Sequence, residues 1–345
     1  MDTAEKTDGE NLVSKGGRIR ICVDADGGDD APKAVTDGVL LALSEDPDLD
    51  IVLVGREESI RGVANEFPDR IEPVVTTEVI EMGDHPAKAV RSKKDSSIVV
   101  GCKLVHDGRA DGFFSAGSTG ACLTAATILI GRIKGVSRPA LVTVVPGSKR
   151  PVVFLDCGAN SDCKPEYLLQ FAHMGMAFSS TLMGVEDPKV GLLNNGSEET
   201  KGSEFARETH GLLKEKIPNS FIGNVEGRDL MSGSCDVIVS DGFTGNVTLK
   251  VIEGTALLIY GGLKEVMTSS FLNKLAAAKL LPGLKEMRKK LDPDVYGGAP
   301  LLGIKSPCIV GHGSSNAEAV KNGIITAVKC VRANLVQVID DALEK

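Results

Sequence analysis

The sequence predicts an α/β fold in which one compact domain is built on a mostly parallel sheet. Apolar segments of strand length alternate with segments of helical periodicity along almost the whole chain. Half of the eight predicted strands end in Gly, Asn or Ser, which are turn residues. Aromatic side chains make up only 4% of the 345 residues, so Val, Ile, Leu, Ala and Gly must form the core. That composition is typical of helices layered on buried parallel strands.

Strands can be placed on the apolar segments in chain order. The first is followed by a glycine-rich turn and by a helix that opens near Pro32. Two of them surround Pro146 and Gly147 closely enough to predict an antiparallel pair. The predicted strands are residues 19–24, 51–55, 112–115, 140–145, 152–156, 190–194, 237–240 and 308–310.

Two long helices are predicted by apolar side chains at a spacing of 3.6 residues. Both stripes are interpreted as core rather than as cofactor contacts. The first stripe is Tyr167, Phe171, Met174 and Phe178. The second, in one last helix, is Val320, Ile324, Ala327, Val331, Leu335 and Val338.

One uncharged stretch, residues 112–131, has the length of a membrane span. The Ser-, Thr- and Gly-rich residues 115–120 interrupt it and would break a spanning helix. It is therefore interpreted as a buried strand, a glycine turn and a buried helix over residues 119–130. No transmembrane segment is predicted.

Composition and charge restrict the class of protein. The chain is 42% hydrophobic and 25% charged, which is typical of a globular protein that needs no disulfide or metal. We expect a disordered extension at residues 1–17, which are polar, and a single domain over residues 18–345. The net charge of −8 disfavours nucleic acid as a partner. Eight cysteines occur singly, which favours reduced thiols in a cytoplasmic protein.

Four polar loops follow predicted strands and carry the candidate binding residues. Ligands of open α/β sheets bind at the carboxyl ends of strands, and helix N-termini there attract anions. The loops therefore favour a small ligand that bears phosphate. They are residues 115–120 with Ser118, Thr119 and Gly120; residues 194–202 with Asn194 and Lys201; residues 240–246 with Asp241, Gly245 and Asn246; and residues 312–316 with His312.

Each loop also has a purely structural interpretation. Ser118 or Thr119 would cap a helix, and Lys201, placed one turn into a helix, would pair with Glu198. Residues 24–32 carry four carboxylates and lack GxGxxG, so they form a weak dinucleotide site. The sequence contains no GxSxG or HExxH motif and no spaced Cys–His site. This predicts chemistry without an enzyme nucleophile, a metal or a cofactor.

Residues 254–292 depart from the alternation and predict a protruding helical hairpin. We expect a helix, a turn near residues 268–270, a short second helix, and a basic helix after Pro282 and Gly283. Residues 264–290 contain seven basic and two acidic side chains. The tip would pack on a second subunit, or would contact anionic lipid or an acidic protein. The predicted contact residues are Phe271, Leu272, Leu275, Leu280, Leu281, Lys285 and Arg288.

Seven segments together resemble the bacterial phosphate acyltransferases, over nearly the whole chain from residue 18 to residue 336. They are VDADGGD at residues 23–29, FSAGSTGA at 114–121, GRIKGVSRPA at 131–140, DCGANSDCKP at 156–165, EETKG at 198–202, DGFTGN at 241–246 and YGGAPLLG at 296–303. Asp26, Asp30, Ser118 and Asn316 depart from the family pattern. The two aspartates make the first glycine loop more acidic, which disfavours a phosphate contact there.

The resemblance implies a dimeric, Rossmann-like α/β/α sandwich similar to phosphotransacetylase and the isopropylmalate dehydrogenases. It also implies reversible transfer of a long-chain fatty acyl group from acyl carrier protein to inorganic phosphate. The acyl phosphate would supply a downstream acyl-phosphate glycerol-3-phosphate acyltransferase in phospholipid synthesis. We expect this homodimer in the cytoplasm, with peripheral contact at the inner face of the membrane.

In that chemistry phosphate is the nucleophile. The leaving group is a thiolate, whose conjugate thiol has a pKa of about 8.5. We expect Ser118, Thr119 and the helix N-terminus at Gly120 to seat phosphate, with Lys201 countering its charge. His312 or Asp241 would orient phosphate or accept its proton.

The thioester oxygen would accept hydrogen bonds from Asn246 and from backbone N–H groups of its loop, including the one at Gly245. Asn160 and Asn194 are further expected contacts to phosphate or the acyl group.

Three alternatives remain at this point. A metal- and NAD-dependent decarboxylating dehydrogenase on a similar fold would need clustered Asp ligands and substrate-binding arginines. A short-chain phosphotransacetylase would use acetyl-CoA. A non-catalytic module would bind acyl carrier protein without releasing a free thiol.

Overall fold

An eleven-stranded sheet organises the chain, which a computed structural model describes over residues 17–291 and 297–344. Residues 1–16 of the expected extension lie outside the described residues, as do the side chains of Lys285 and Arg288. The strands are β1 (Ile19–Asp24), β2 (Leu49–Gly55), β3 (Ile71–Val75), β4 (Gly112–Ser115), β5 (Ala140–Val145), β6 (Val152–Leu155), β7 (Val190–Asn194), β8 (Phe221–Glu226), β9 (Val237–Val239), β10 (Ala299–Leu302) and β11 (Cys308–Val310).

The sheet consists of two parallel halves joined by an antiparallel centre. One half has the order β3-β2-β1-β4-β11, and the other has the order β6-β9-β7-β8. Between them, β10 and β5 pair antiparallel with each other and with their outer neighbours. The predicted α/β class with a mostly parallel sheet is confirmed, as is the antiparallel pairing of β5 with β6.

Three strands were not predicted, because their local sequence is weak. β3 and β8 lie at the two edges of the sheet, where a strand is paired on one side only. β3 contains Pro73, and β8 contains Gly223 and Asn224, residues that interrupt an apolar strand pattern. β10 contains Pro300, which likewise interrupts an apolar strand pattern. Tertiary pairing rather than local propensity defines these strands.

Helices cover both faces of the sheet. One apolar cluster packs beneath α1, α6, α7, α10 and α11, and the other beneath α3, α4 and α5. A π-helical turn, Ala126–Ile130, continues α5, and a 3₁₀ turn spans Gly227–Asp229. The helices are α1 (Lys33–Glu45), α2 (Glu57–Ala64), α3 (Pro86–Ser92), α4 (Ser97–His106), α5 (Thr119–Ala125), α6 (Pro165–Met183), α7 (Glu204–Lys216), α8 (Gly242–Thr268), α9 (Phe271–Leu291), α10 (Ala317–Arg332) and α11 (Leu335–Leu343).

The predicted single last helix is wrong, because it is divided into α10 and α11. Asn334 adopts a left-handed conformation with φ 50°, which asparagine tolerates better than most residues and which a continuing helix excludes. Val320 and Ile324 are buried on α10, whereas Leu335 is buried on α11. By contrast, the predicted buried face of α6 is observed, with Phe171 and Met174 fully buried.

The last two long helices before β10 form a hairpin. α8 and α9 pack on each other around residues 269–270. The predicted break at Pro282 is wrong, because α9 continues through it. Proline removes one helical hydrogen bond, and the exposed position leaves the freed carbonyl to water. Within the described parts of the chain, we find no helix with the length and apolar character needed to cross a bilayer.

Candidate active site

Polar loops leave the carboxyl ends of strands in both halves of the sheet and form two groups. The first loop cluster comprises residues 24–30, 115–120 and 311–316, after the adjacent parallel strands β1, β4 and β11. The second loop cluster comprises residues 156–160, 194–203 and 240–246, after the adjacent parallel strands β6, β7 and β9. Loops of neighbouring parallel strands meet, so each cluster is a candidate ligand site.

A buried carboxylate organises the first loop cluster. Asp24, 1% exposed, accepts hydrogen bonds from Ser115 Oγ at 2.7 Å and from the Asp26 N–H at 3.1 Å. Ser115 Oγ in turn accepts a hydrogen bond from the Gly117 N–H at 3.0 Å. Burial raises the pKa of Asp24, while these hydrogen bonds lower it. The loops after β1 and β4 are thereby fixed against each other.

Asp26, one of the two aspartates that depart from the family pattern, is hydrogen-bonded and ion-paired within the protein. Its side chain accepts hydrogen bonds from the Arg56 N–H at 2.8 Å and from Ser59 Oγ at 2.6 Å. It also forms an ion pair with the Arg56 guanidinium. Its charge is therefore directed towards the start of α2 and away from the loop that contains Ser118.

Ser118 occupies the N-cap position of α5, as its structural interpretation predicted, but its hydroxyl makes no capping hydrogen bond. Ser118 is only 7% exposed, whereas Thr119 is exposed. His312 lies in the neighbouring loop, where Nδ1 lies 2.8 Å from Ser314 Oγ. The Asp29 N–H donates to the Gly313 carbonyl at 2.7 Å and joins the loops after β1 and β11. The structure thus brings Ser118, Thr119 and His312 into one cluster.

A second buried carboxylate organises the second loop cluster. Asp156 is fully buried and accepts hydrogen bonds from the N–H groups of Leu141, Gly158, Ala159 and Asn160 at 2.7 to 3.2 Å. Asn160 Nδ2 adds a fifth at 2.8 Å. Burial raises the pKa of Asp156, and the donors oppose that shift because they stabilise the carboxylate. The backbone of residues 157–160 is wrapped around this one group.

The start of α8 packs directly on that loop. The Gly242 N–H donates to the Asn160 carbonyl at 2.7 Å. A Cβ atom on Gly245 would overlap the carbonyl oxygen of Asp156, so only glycine permits this approach. The loop after β6 and the N-terminus of α8 are therefore in direct contact and form one surface.

Asn246 and Asp241 differ in how their side chains are used. A Cβ atom placed on Gly158 would lie 3.5 Å from Asn246 Cγ, so the Asn246 amide lies against the loop after β6. This amide is exposed and has no hydrogen-bond partner among the described residues. The Asp241 carboxylate caps α8, accepting from the Thr244 N–H at 2.8 Å and from Thr244 Oγ1 at 2.7 Å. Asn246 is therefore the available donor.

Lys201 lies in the loop before α7, not one turn into the helix as predicted. Ser203 caps that helix by accepting from the Ala206 N–H at 3.2 Å, which delays its start to Glu204. Lys201 is exposed and forms no ion pair with Glu198 or with another carboxylate of the described residues. Asn194 Nδ2 donates to the Lys201 carbonyl at 3.3 Å, so Asn194 shapes this loop.

The sheet order decides which candidate residues can act together. β7, which leads to Lys201, lies beside β9, which leads to Asn246. β7 is six strand positions from β4 in the sheet. At a strand spacing of ~4.8 Å, the two strands are about 29 Å apart, measured across the sheet. Lys201 therefore follows the same group of strands as Asn160, Asp241, Gly245 and Asn246. The expected pairing of Lys201 with Ser118 and Thr119 stays a prediction.

Sequence reasoning missed the organising roles of Asp24 and Asp156. Each is an aspartate at the end of an apolar strand, followed within two or three residues by glycine. A carboxylate there can be buried only if hydrogen-bond donors surround it, so an aspartate in this sequence position indicates an organising role.

Cysteine thiols are not candidate nucleophiles at these loops. Cys163 follows the second loop cluster, and burial raises the pKa of its thiol to about 12. Burial likewise raises the pKa of Cys122 in α5 to about 12. Both thiols are therefore protonated at neutral pH. Among the described residues, His, Cys, Asp and Glu form no group of three that could hold a metal ion.

Comparisons with known proteins place the chain in a family. A family model described as fatty acid synthesis protein matches residues 19–338. A phosphate acyltransferase of Brevibacillus brevis is 49% identical over 329 residues, which cover 95% of this chain and 98% of that protein. A phosphate acyltransferase of Bacillus subtilis (strain 168) is 48% identical over 328 residues, with the same two coverages.

A solved structure supports the fold. The structure of a phosphotransacetylase from Streptococcus pyogenes covers 93% of this chain and 95% of its own, with a TM-score of 0.60 at 19% identity. The fold likeness to phosphotransacetylase, which the resemblance implied, is confirmed. Since the family model matches almost the whole chain and nearly half of the residues are shared with phosphate acyltransferases, this chain belongs to that family and is an acyltransferase.

Proposed function

We propose that this enzyme transfers a long-chain fatty acyl group from acyl carrier protein to inorganic phosphate, and that the second loop cluster is its reaction centre. One observation supports this most strongly. Lys201 and Asn246 lie in the segments that follow adjacent parallel strands, and neither the Lys201 ammonium nor the Asn246 amide has a partner in the described residues. A cation suits phosphate, and an amide donor suits a developing oxyanion.

The reaction needs no covalent enzyme intermediate. A phosphate oxygen attacks the thioester carbon, the C–O bond forms, the C–S bond breaks, and the thiolate of the carrier leaves with the electron pair. A thiolate whose conjugate thiol has a pKa of about 8.5 is a good leaving group. Lys201 holds phosphate, Asn246 Nδ2 donates to the oxyanion, and Asn160 fixes the loop beneath it. The acyl phosphate product then serves a glycerol-3-phosphate acyltransferase in phospholipid synthesis.

A thiol-release assay with palmitoyl-carrier protein tests this function. Free thiol should appear only when phosphate is added, and acyl phosphate should form in equal amount. Equal release without phosphate, or a stable acyl ester on the enzyme, would contradict direct attack. Preference for acetyl-CoA would favour a short-chain phosphotransacetylase. Nicotinamide reduction would favour a dehydrogenase, and carrier binding without thiol release would favour a non-catalytic module.

Removal of the Lys201 ammonium should weaken phosphate use. In a Lys201→Ala variant we expect the KM for phosphate to rise about tenfold or more, because one charge-assisted contact of about 1.5–3 kcal/mol is lost. Thermal unfolding should not change, since Lys201 is exposed. Steady-state kinetics with varied phosphate measure this effect.

Ser118→Ala is the matched comparison, because Ser118 was the sequence-based candidate for phosphate. If Ser118→Ala raises the phosphate KM and Lys201→Ala does not, phosphate binds in the first loop cluster, with Thr119, Gly120 and His312. In that case the second loop cluster would not be the phosphate site.

We also propose that the hairpin contacts anionic membrane lipid at the cytoplasmic face, while α8 packs on a second copy of the chain. The apolar side chains on α9 are 48% to 75% exposed, namely Phe271, Leu272, Leu275, Leu280 and Leu281. Lys274 and Lys279 lie between them, which suits an anionic bilayer surface. On α8, Leu257 and Leu258 are 73% and 76% exposed, an apolar surface of the kind that a homodimer covers.

A charge on this apolar surface should abolish vesicle binding. We expect a Leu280→Glu/Leu281→Glu variant to stay in the supernatant when the wild type co-sediments with phosphatidylglycerol vesicles, because ionised carboxylates resist insertion. A Leu41→Glu/Ile222→Glu variant is the matched control, since both side chains are exposed elsewhere on the protein. Unchanged sedimentation of the α9 variant would refute the lipid contact.

A further inference from the structure

A stretch of the chain that contains basic residues and no carboxylates lies beside the second loop cluster. No Asp or Glu occurs between Asp111 and Asp156, although the whole chain has a net charge of −8. We define the basic surface as four exposed residues of this region and its neighbour in the fold, namely Arg132, Lys134, Arg138 and Lys305. None of them forms an ion pair with a carboxylate of the described residues. Their charge therefore faces solvent uncompensated.

Hydrogen bonds hold this surface in one conformation. The Arg132 guanidinium donates to the Val136 carbonyl at 3.0 Å, and the Ser137 N–H donates to Gln170 Oε1 at 2.9 Å. The Lys305 N–H donates to the Gly131 carbonyl at 2.9 Å, which joins the two parts of the surface. A preformed surface loses little conformational entropy when a partner binds.

The same loop is directly connected to the proposed reaction centre. The Pro139 carbonyl accepts a hydrogen bond from Asn160 Nδ2 at 2.8 Å, and Arg138 precedes Pro139 in the chain. A partner that covers Arg138 would therefore lie next to the loop on which Asn246 rests.

An apolar side chain accompanies the charges. Ile128 is 58% exposed on the π-helical turn that leads into the basic surface. Ile128 precedes Arg132 by four residues in the chain. An exposed isoleucine next to a basic loop complements an acidic helix that carries one apolar residue at its centre. This pattern favours a protein partner over a free small anion.

We propose that the basic surface and Ile128 dock an acidic carrier domain, which presents its acyl thioester to the second loop cluster. The inference rests on the proposed function and adds the place where the donor protein binds. Opposite charges would steer the carrier to this surface and fix its orientation. In this proposal the hairpin contacts lipid and the second subunit, and it does not bind the carrier.

The test is a charge reversal at two exposed positions, Lys134→Glu/Arg138→Glu. We expect the KM for palmitoyl-carrier protein to rise roughly tenfold or more, since electrostatic steering contributes 10- to 1000-fold to association. The KM for phosphate should not change. With palmitoyl-pantetheine, a donor that lacks the carrier domain, the variant should match the wild type. Raising the salt concentration should weaken carrier use by the wild type more than by the variant.

A matched control changes charge equally at another place. Lys94 and Lys103 are exposed lysines in the other half of the protein, and Lys94→Glu/Lys103→Glu should leave the carrier KM at the wild-type value. Thermal unfolding of both variants checks that the fold is intact.

Two results would overturn the docking surface without touching the proposed function. One is an unchanged carrier KM in the Lys134→Glu/Arg138→Glu variant while the wild type discharges carrier in the presence of phosphate. The other is an equal loss with palmitoyl-pantetheine, which would assign these residues to catalysis. A wild type that never discharges the carrier would overturn both proposals.

Discussion

An Asn246→Ala variant is expected to lose about 100- to 1000-fold in kcat, the magnitude found when one oxyanion donor is removed. Asn246 contributes the exposed amide at the start of α8, next to the loop held by Asp156. The tetrahedral oxyanion carries more charge than the thioester oxygen from which it forms. The amide therefore stabilises the transition state more than bound substrate, and the KM for the acyl donor should change little. Initial rates of phosphate-dependent thiol release measure the loss.

The fold should survive this change. The Asn246 side chain has no partner in the described residues, and alanine favours a helix more than asparagine does. Asn219→Ala removes an exposed asparagine before β8 and is the matched control, with wild-type kcat expected. A kcat for Asn246→Ala within about threefold of wild type would remove this amide from the oxyanion site.

An Asp156→Asn variant is expected to lower the free energy of unfolding by at least about 3 kcal/mol, because each hydrogen bond to a charged group contributes about 1.5–3 kcal/mol. The substitution keeps the size of the side chain and replaces one acceptor oxygen with a donor. That new NH₂ group would face N–H groups that now donate to Asp156 Oδ2, from the backbone and side chain of Asn160. Urea unfolding followed by circular dichroism measures the change.

Asp162→Asn is the control for this prediction. Asp162 lies six residues further along the chain and is exposed, so its amide variant should unfold like the wild type. Equal unfolding free energies for Asp156→Asn and the wild type would show that the loop after β6 is held by other contacts. Because Asn160 and the start of α8 rest on this loop, kcat should fall together with stability.

Much of the fold could be predicted from the chain alone. Segments such as residues 51–55 and 152–155 are apolar along their whole length, because strands covered on both faces have no polar side. The strand, turn and helix over residues 112–130 were also predicted, since residues 115–118 offer a glycine turn. Edge strands such as residues 71–75 escaped prediction because half of their surface is exposed.

The sequence predicted which residue types belong to the candidate site better than it predicted which of them lie close together. Polar loops after strands pointed to Lys201 and Asn246, but their sequence positions are 45 residues apart and say nothing of proximity. The same reasoning paired Lys201 with Ser118, although the strands that precede these two residues are six positions apart in the sheet. The start of α7 was misplaced because the Ser203 cap, three residues before Ala206, was overlooked.

The sequence by itself determined the alternation of strands and helices, the polar loops at strand ends and the family to which the chain belongs. Only the tertiary structure decided that β9 inserts between β6 and β7, so that Asn160, Lys201 and Asn246 lie in segments that follow neighbouring strands. Strand order depends on hydrogen bonds and side-chain packing between segments far apart in the chain. Local periodicity records only which face of a segment is buried, and it carries no information about the neighbour that buries it.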